Sequence, residues 1–582
     1  FLLAALWGYA RRSLITVYKH AGAVLFVVGL VIGVGTLGFV YKSHALQETI
    51  ALMEAGSSPA SAHPEAINLV RSQEEFEALR SKILPSWLSE DEKNYRLYTS
   101  DAQVNVWWNS LFDIPLVKGY LDPVVDISKL GDVFLLDQSI AGDDIVRNFD
   151  YPEEAAYNMA LYYADWYAVK YGEGGHLSKS ANKGVSSYLK DTVAEETQTE
   201  IPGAYILYET ESGKPEVHED IPQYLNFYKF PDDLISPIMS VTNAPVVMCF
   251  CDWSMYESVT KALAMNGIDS KMLITLFSEN AIDSYSLSEL KQFEGLVLAN
   301  YHYNNRNKAF TNLSQYVENG GSVFIDTGSE VKEAQAVNLP DFFPFAETTR
   351  EGLGSEWDVT QADSEVFTNV DFSAFAPPTY NEYEWKFSYP TEIAEGEILL
   401  AQEGKPVLVA YDKGAGHVVW SGMNLAYHVY SNTNAYESIL FVNLLDHLMP
   451  LTEHAFITGE ASYPSPRIAE FTTSEGGKGV LFKKQLFNNW QVRVNGKTAK
   501  MYAAGPTYPG FMYVPLSRDE AVEAYFQYNG EPIAYAVWLF SISVFVILLD
   551  LSIFKHGFLT PRLMLVAVKI RKTVKSWWGK EE

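Results

Sequence analysis

The chain has 582 residues, 48% of them hydrophobic, which is enough to build several packed folding units and excludes a disordered polymer. Its formal net charge of −29 argues against a nucleic-acid partner, because an acidic surface repels phosphate backbones. Two cysteines, Cys249 and Cys251, exclude a disulfide framework.

Residues 1–20 carry Arg11, Arg12 and Lys19 and no carboxylate. They read as a cytoplasmic segment, and the opening FLLAALWGYA, without Met, reads as the end of an earlier helix that has been cut off. Residues 21–41 are uncharged and long enough, at about 1.5 Å per residue, to cross a hydrocarbon layer of about 30 Å. A second apolar run fills 531–554, with Trp538 and Tyr535 at its outer end and Asp550 near its inner end. The tail 555–582 is basic through Lys555, Arg562, Lys569, Arg571, Lys572, Lys575 and Lys580. The positive-inside rule then predicts two transmembrane helices, both termini cytoplasmic, and an acidic bulk held outside the plasma membrane.

Between the spans, 42–240 predicts a helical stalk followed by a membrane-proximal α+β domain. RLYTSD and GAYILYET read as strands, and 152–172 as an amphipathic helix running towards a strand. Residues 241–450 alternate apolar strands with amphipathic helices. The strands are APVVMCFCD, KMLITLF, EGLVLAN and SVFIDTG. The helices are SMYESVTKALAMNG, SLSELKQF with Ser286 as its N-cap, and AFTNLSQYVENGG. That alternation predicts a parallel sheet with helices on both faces, flavodoxin-like in class. A hairpin turning at 413–416 and a helix over 435–448 close the unit. Residues 451–530 read as a small β-sandwich-like domain, in which Asn495-Gly496 is the strongest hairpin signal.

Two segments carry family resemblances. Tyr316–Gly328 (YVENGGSVFIDTG), followed by Gly414–Asn424 (GAGHVVWSGMN), resembles the class I glutamine-amidotransferase-like fold. Active members place a Cys on the strand-to-helix elbow, with a later His and Glu. Here the position after SVFI is Asp326-Thr327-Gly328, so the resemblance implies a non-catalytic version used for binding or architecture. Leu486–Lys497 (LFNNWQVRVNGK), Gly510–Leu516 (GFMYVPL) and the terminal apolar run look like the tail of multi-pass membrane proteins. Those are the GT-C-type glycosyltransferases and the 6-pyruvoyl-tetrahydropterin synthase-related membrane proteins. Val106–Pro115 and Ala164–Tyr171 are similar to their membrane-proximal domain. This resemblance implies a C-terminal portion of an envelope protein handling a glycan or lipid-linked sugar. If the protein is an enzyme, it implies a membrane glycosyltransferase whose catalytic residues lie outside this fragment.

Candidate sites follow from the strand ends, because ligands of open parallel sheets bind beyond the carboxyl ends. Those ends carry Asp252 and Trp253, then Asn300, Tyr301 and His302, then Asp326 and Thr327. Carboxylates that accept from hydroxyls, beside an aromatic face, suit a carbohydrate; the same acids also suit calcium, or simply cap helices. Cys249 and Cys251, two apart on one strand, read as core thiols facing one side. No catalytic residue, cofactor or metal site is assigned. The expected partners are the bilayer, a glycan or lipid-linked sugar, and a membrane protein. Two further readings stay open. One is a two-span surface binding or assembly module; the other is a hydrolase using Asp252, His302 and Asp326.

Overall fold

The computed structural model describes residues 236–529, apart from 381–382, 433, 466, 488, 506–509 and 517–519, together with Ser86, Leu88, 94–99 and several strands between 169 and 229. The chain divides into two compact units. One gathers Phe1–Pro64, Ile206–His218 and Asn529–Glu582, and its described part is Asn529 and the hairpin Ile206–Glu209/Pro215–His218. The other holds Glu65–Tyr205 and Glu219–Tyr528.

In the larger unit, Arg96–Thr99, Val169–Gly175, Gln223–Lys229 and Glu195–Ile201 form a four-stranded sheet in that order. Residues 169–172, expected to end a helix, are extended here.

The dominant feature is a twelve-stranded mixed sheet. In chain order its elements begin with β1 (Met239–Thr242), β2 (Val246–Phe250), α1 (Trp253–Met265), β3 (Ile274–Ser278), α2 (Leu287–Leu290) and β4 (Gly295–Ala299). They continue with α3 (Arg306–Glu318), β5 (Ser322–Asp326), β6 (Val359–Gln361), β7 (Glu397–Gln402), β8 (Lys405–Lys413) and β9 (Gly416–Ser421). α4 (Leu425–Asn432), α5 (Ala435–Leu448), β10 (Gly479–Gln485), β11 (Tyr502–Ala504) and β12 (Phe511–Pro515) complete the set. The spatial order is β6-β7-β8-β9-β5-β4-β2-β3-β11-β12-β10-β1. The five central strands, β9 to β3, pair in parallel. Antiparallel strands extend both edges.

Strand alternation decides which core each residue joins. Val247, Cys249 and Cys251 face a cluster filled by α1, α4 and α5, while Val246, Met248 and Phe250 face one filled by α3. In α3 the buried residues Ala309, Phe310, Leu313, Tyr316 and Val317 recur at helical spacing, and Asn305 caps the start by accepting from the Lys308 N–H.

These findings correct the expected fold class. The described chain is mostly β-sheet with few helices, not a flavodoxin-like parallel domain framed by two transmembrane helices. Nor is the sheet closed before residue 450, because β10, β11 and β12 join it beyond β3. The physical reason is burial on both faces. Leu481, Phe511 and Tyr513 pack into the α3-side core, while Val480, Phe482, Met512 and Val514 pack against a separate five-stranded sheet made from 460–528. Strands apolar on both sides gain more from a covered sheet than from an edge facing water. The membrane expectation is corrected likewise: among the described residues, no helix is long and apolar enough to cross a membrane. The runs 21–41 and 531–554 lie outside the described residues, as does the stalk 43–82.

Candidate functional site

Along the parallel strands the order β3-β2-β4-β5-β9 reverses direction between β2 and β4, since the chain leaves β2 towards β3 and returns past it to β4. Such a reversal opens a crevice at the carboxyl ends, where neither flanking connection covers the sheet. The β2–β4 register pairs Phe250 with Leu298, so two residues further on Asp252 stands beside Asn300.

Asp252 is half-buried and uses both carboxylate oxygens. Oδ1 accepts from the Ser254 hydroxyl at 2.8 Å and the Met255 N–H at 2.9 Å, capping α1. Oδ2 accepts from the Asn300 side-chain amide at 2.5 Å. Asn300 is exposed and sits at φ +52, a left-handed conformation that asparagine tolerates better than most residues. Glu279, just beyond β3, is exposed; burial first, then the charges of Cys249, Asp252 and Glu279, raise the Cys251 thiol.

The other residues named from sequence divide between surface and interior. His302 is exposed, with its carbonyl accepting from the Ile282 N–H. Trp253 is 9% exposed and packs edge-on to Phe277, so its ring belongs to the core. Tyr301 is buried and donates its hydroxyl to Glu333, which also accepts from Tyr303 and Arg306. Burial, then the Glu333 charge, holds the Tyr301 phenol well above its usual range.

Asp326 is fully enclosed. It accepts from the Gly328, Asn424 and Leu425 N–H groups and from the Ser421 hydroxyl, which ties the turn after β9 to the end of β5. Burial pushes its carboxyl up to about 6 against the pull of those four donors. Thr327 accepts from the Trp420 indole at 2.9 Å. The structure thus joins Asp252 to Asn300 and leaves His302 exposed, while Trp253, Tyr301, Asp326 and Thr327 are buried.

Cys249 and Cys251 are both buried, and burial raises both thiols well above the ordinary value, which disfavours the nucleophilic thiolate. His417 makes a surface pair with Asp412 at 2.7 Å. The amide of Asn312, in the sequon-like triplet on α3, donates to the Tyr285 carbonyl.

Sequence reasoning missed a second cluster on the same edge. His428 of α4 and Glu437 of α5 form a buried pair at 2.5 Å. The His428 ring meets Trp385 edge-to-face with centroids 3.6 Å apart, and the Trp385 indole donates to the Met423 carbonyl just beyond β9. Tyr427, 42% exposed, lies 6.3 Å from Trp385 with the ring planes 31° apart. Among the described residues no group of three or more His, Cys, Asp or Glu is arranged to hold a metal ion.

Comparison with known proteins adds a family match of limited reach. The model of a domain of unknown function (DUF8560) matches residues 274–428, from β3 into α4, well under half of the chain. No curated protein matches. Among solved structures, the chain is similar to a cytoplasmic protein of Salmonella typhimurium at 12% identity, covering 44% of this chain and 96% of that one, with a TM-score of 0.23. It is also similar to an exo-β-1,4-mannosidase of an Opitutaceae bacterium at 13% identity, covering 36% and 37%, with a TM-score of 0.24. A third is the α-L-fucosidase isoenzyme 2 of Paenibacillus thiaminolyticus at 12% identity, covering 50% and 49%, with a TM-score of 0.24. The chain thus spans under half of the mannosidase and about half of the fucosidase. At these scores the likenesses carry no argument about fold or function.

Proposed function

We propose that this chain is a glycan-handling module of the cell envelope, which holds a hydroxyl-rich ligand in the crevice between β2 and β4 and leaves the chemistry to other residues or proteins. The observation that carries this reading is the Asp252–Asn300 pair at the strand reversal. A carboxylate and an amide side by side offer acceptors and donors at the spacing of vicinal hydroxyls, and a sugar takes over their mutual bond. The buried thiols and the enclosed Asp326 support binding over nucleophilic catalysis. The same reading places the acidic bulk outside the cytoplasm. It keeps the GT-C-type and synthase-related resemblance as the wider context, with transfer chemistry outside this chain.

The test is a glycan array followed by calorimetry on the strongest hit, comparing wild type with Asp252→Asn and Asn300→Gly. Asparagine keeps an oxygen to cap α1, and glycine accepts the positive φ, so both variants preserve the fold. Each is expected to weaken binding about tenfold, the worth of one charge-assisted hydrogen bond. Unchanged affinity in both variants contradicts the assignment.

A further inference from the structure

We propose that Glu333 is a positioning residue for the crevice: its buried carboxylate gathers the 301–306 segment and so holds Asn300 in its left-handed conformation, with the side-chain amide turned towards Asp252, before any ligand arrives. This rests on the reading of the Asp252–Asn300 pair given above and deepens it, by naming what keeps that pair in place.

The segment 300–305 joins β4 to α3, and within it Tyr301 is buried, His302 exposed and Tyr303 half-buried. The two tyrosines converge on one carboxylate. Tyr301 donates its hydroxyl to Glu333 Oε2 at 3.1 Å, and Tyr303 donates to Oε1 at 2.8 Å. Arg306, the first residue of α3, donates its Nε–H to Oε1 at 3.0 Å. The Glu333 side chain has no exposed surface, so these three donors are what make a buried charge tolerable there. Burial, then the hydrogen bond to Glu333, holds the Tyr303 phenol above its usual range, as burial and the Glu333 charge do for Tyr301; both phenols therefore remain donors at neutral pH.

Glu333 is itself fixed through its backbone. Its carbonyl accepts from the Thr348 hydroxyl at 2.7 Å, and the next carbonyl, that of Ala334, accepts from the Ser388 hydroxyl at 2.8 Å. Thr348 and Ser388 lie on the paired strands Glu347–Gly352 and Lys386–Pro390. The segment is held a second time by Asp283, which accepts from the Asn304 and Asn305 N–H groups, and by the Ile282 N–H, which donates to the His302 carbonyl. Asn300 stands between the end of β4 and the first of these anchors. A left-handed φ is costly for a residue with a Cβ. At +52, Asn300 keeps it with Asp252 holding its amide and Glu333 holding the residue that follows. A loop fixed in advance spares the ligand the cost of ordering it.

The experiment uses the full chain as wild type, Glu333→Gln, Tyr301→Phe and a control, Tyr316→Phe, which removes a buried phenolic hydrogen bond to the Phe293 carbonyl outside the segment. Tyr301→Phe keeps its ring in the core and leaves Glu333 two of its donors, so it remains informative if Glu333→Gln does not fold. Hydrogen–deuterium exchange without ligand is read first. Residues 299–305 are expected to exchange about tenfold faster in Tyr301→Phe than in wild type, the effect of one lost hydrogen bond on local opening, with β2 unchanged. Calorimetry with methyl mannoside, methyl glucoside and methyl galactoside follows. Tyr301→Phe is expected to bind the best of the three about fivefold more weakly than wild type, and Tyr316→Phe to bind it as wild type does. Saturating sugar is expected to return 299–305 of Tyr301→Phe to wild-type protection. Unchanged exchange in Tyr301→Phe overturns the tether. Faster exchange with unaltered affinity, faster exchange that the sugar does not reverse, or an equal loss of affinity in Tyr316→Phe overturns the positioning role and leaves the Asp252–Asn300 reading standing. If wild type binds none of the three sugars, that reading falls and the positioning role falls with it.

Discussion

Asp326 shows how one buried acid can hold two strand ends together. Its two oxygens accept four hydrogen bonds from residues 328 and 421–425, and its neighbours offer only donors. In Asp326→Asn the amide nitrogen must face N–H or O–H groups, and the variant is expected to lose about 1–3 kcal/mol in denaturant unfolding. The pH dependence follows from the raised carboxyl. The folded chain takes up the proton first, so this group's stabilising contribution is fully present below about 3.8 and is lost as pH rises through about 6. The stability gap between wild type and the Asn variant should therefore narrow from pH 4 to pH 7. The opposite sign holds for Glu289. Its hydrogen bond from Lys500, then that from the Ser286 N–H, hold its carboxyl down to about 2. That stabilisation is present above about 4.5 and is lost as pH falls through about 2. Lys500 is 54% exposed, so Lys500→Ala should cost only about 0.2–1 kcal/mol, checked by thermal melts at neutral pH. Sequence disclosed part of this layer. Ser286 was legible as an N-cap, and with Glu289 it forms a full capping box. The role of Asp326 was not, because its partners at 421–425 lie almost a hundred residues away and no local spacing marks them.

Elements were more legible than their partners. The strands β2, β3, β4 and β5 and the helices α1 and α3 stand where apolar runs and helical spacing put them. The Asn495-Gly496 turn has φ values of +50 and +74, the geometry a two-residue hairpin needs. What spacing could not tell was that β11 would pair with β3, over two hundred residues earlier. Nor could it show the His428–Glu437 pair, whose members sit on two helices separated by a break. At this scale Gly328 is a sensitive position. A Cβ there would collide with the backbone nitrogen of Asn424, where the turn after β9 meets the end of β5. Gly328→Ala is expected to cost about 1–3 kcal/mol by forcing that backbone apart, measured as a lower unfolding midpoint with an unchanged m-value.

Across the whole molecule, the same twelve strands that carry the crevice depend on chain from both sides of it. A fragment limited to 241–450 removes β10, β11 and β12 and uncovers the edge of β3 together with the apolar face around Leu276. It is expected to aggregate on size-exclusion chromatography, where 236–529 runs as a defined species; a compact, well-dispersed 241–450 fragment contradicts the shared sheet. The acidic composition was plain from sequence, whereas the reversal at β2 and β4 needed the strand order. The most direct test of the account is hydrogen–deuterium exchange with and without the best-binding glycan. The account predicts protection concentrated in the segments around 251–256 and 299–305. Protection confined to other segments, with these two unchanged under saturating glycan, would contradict it.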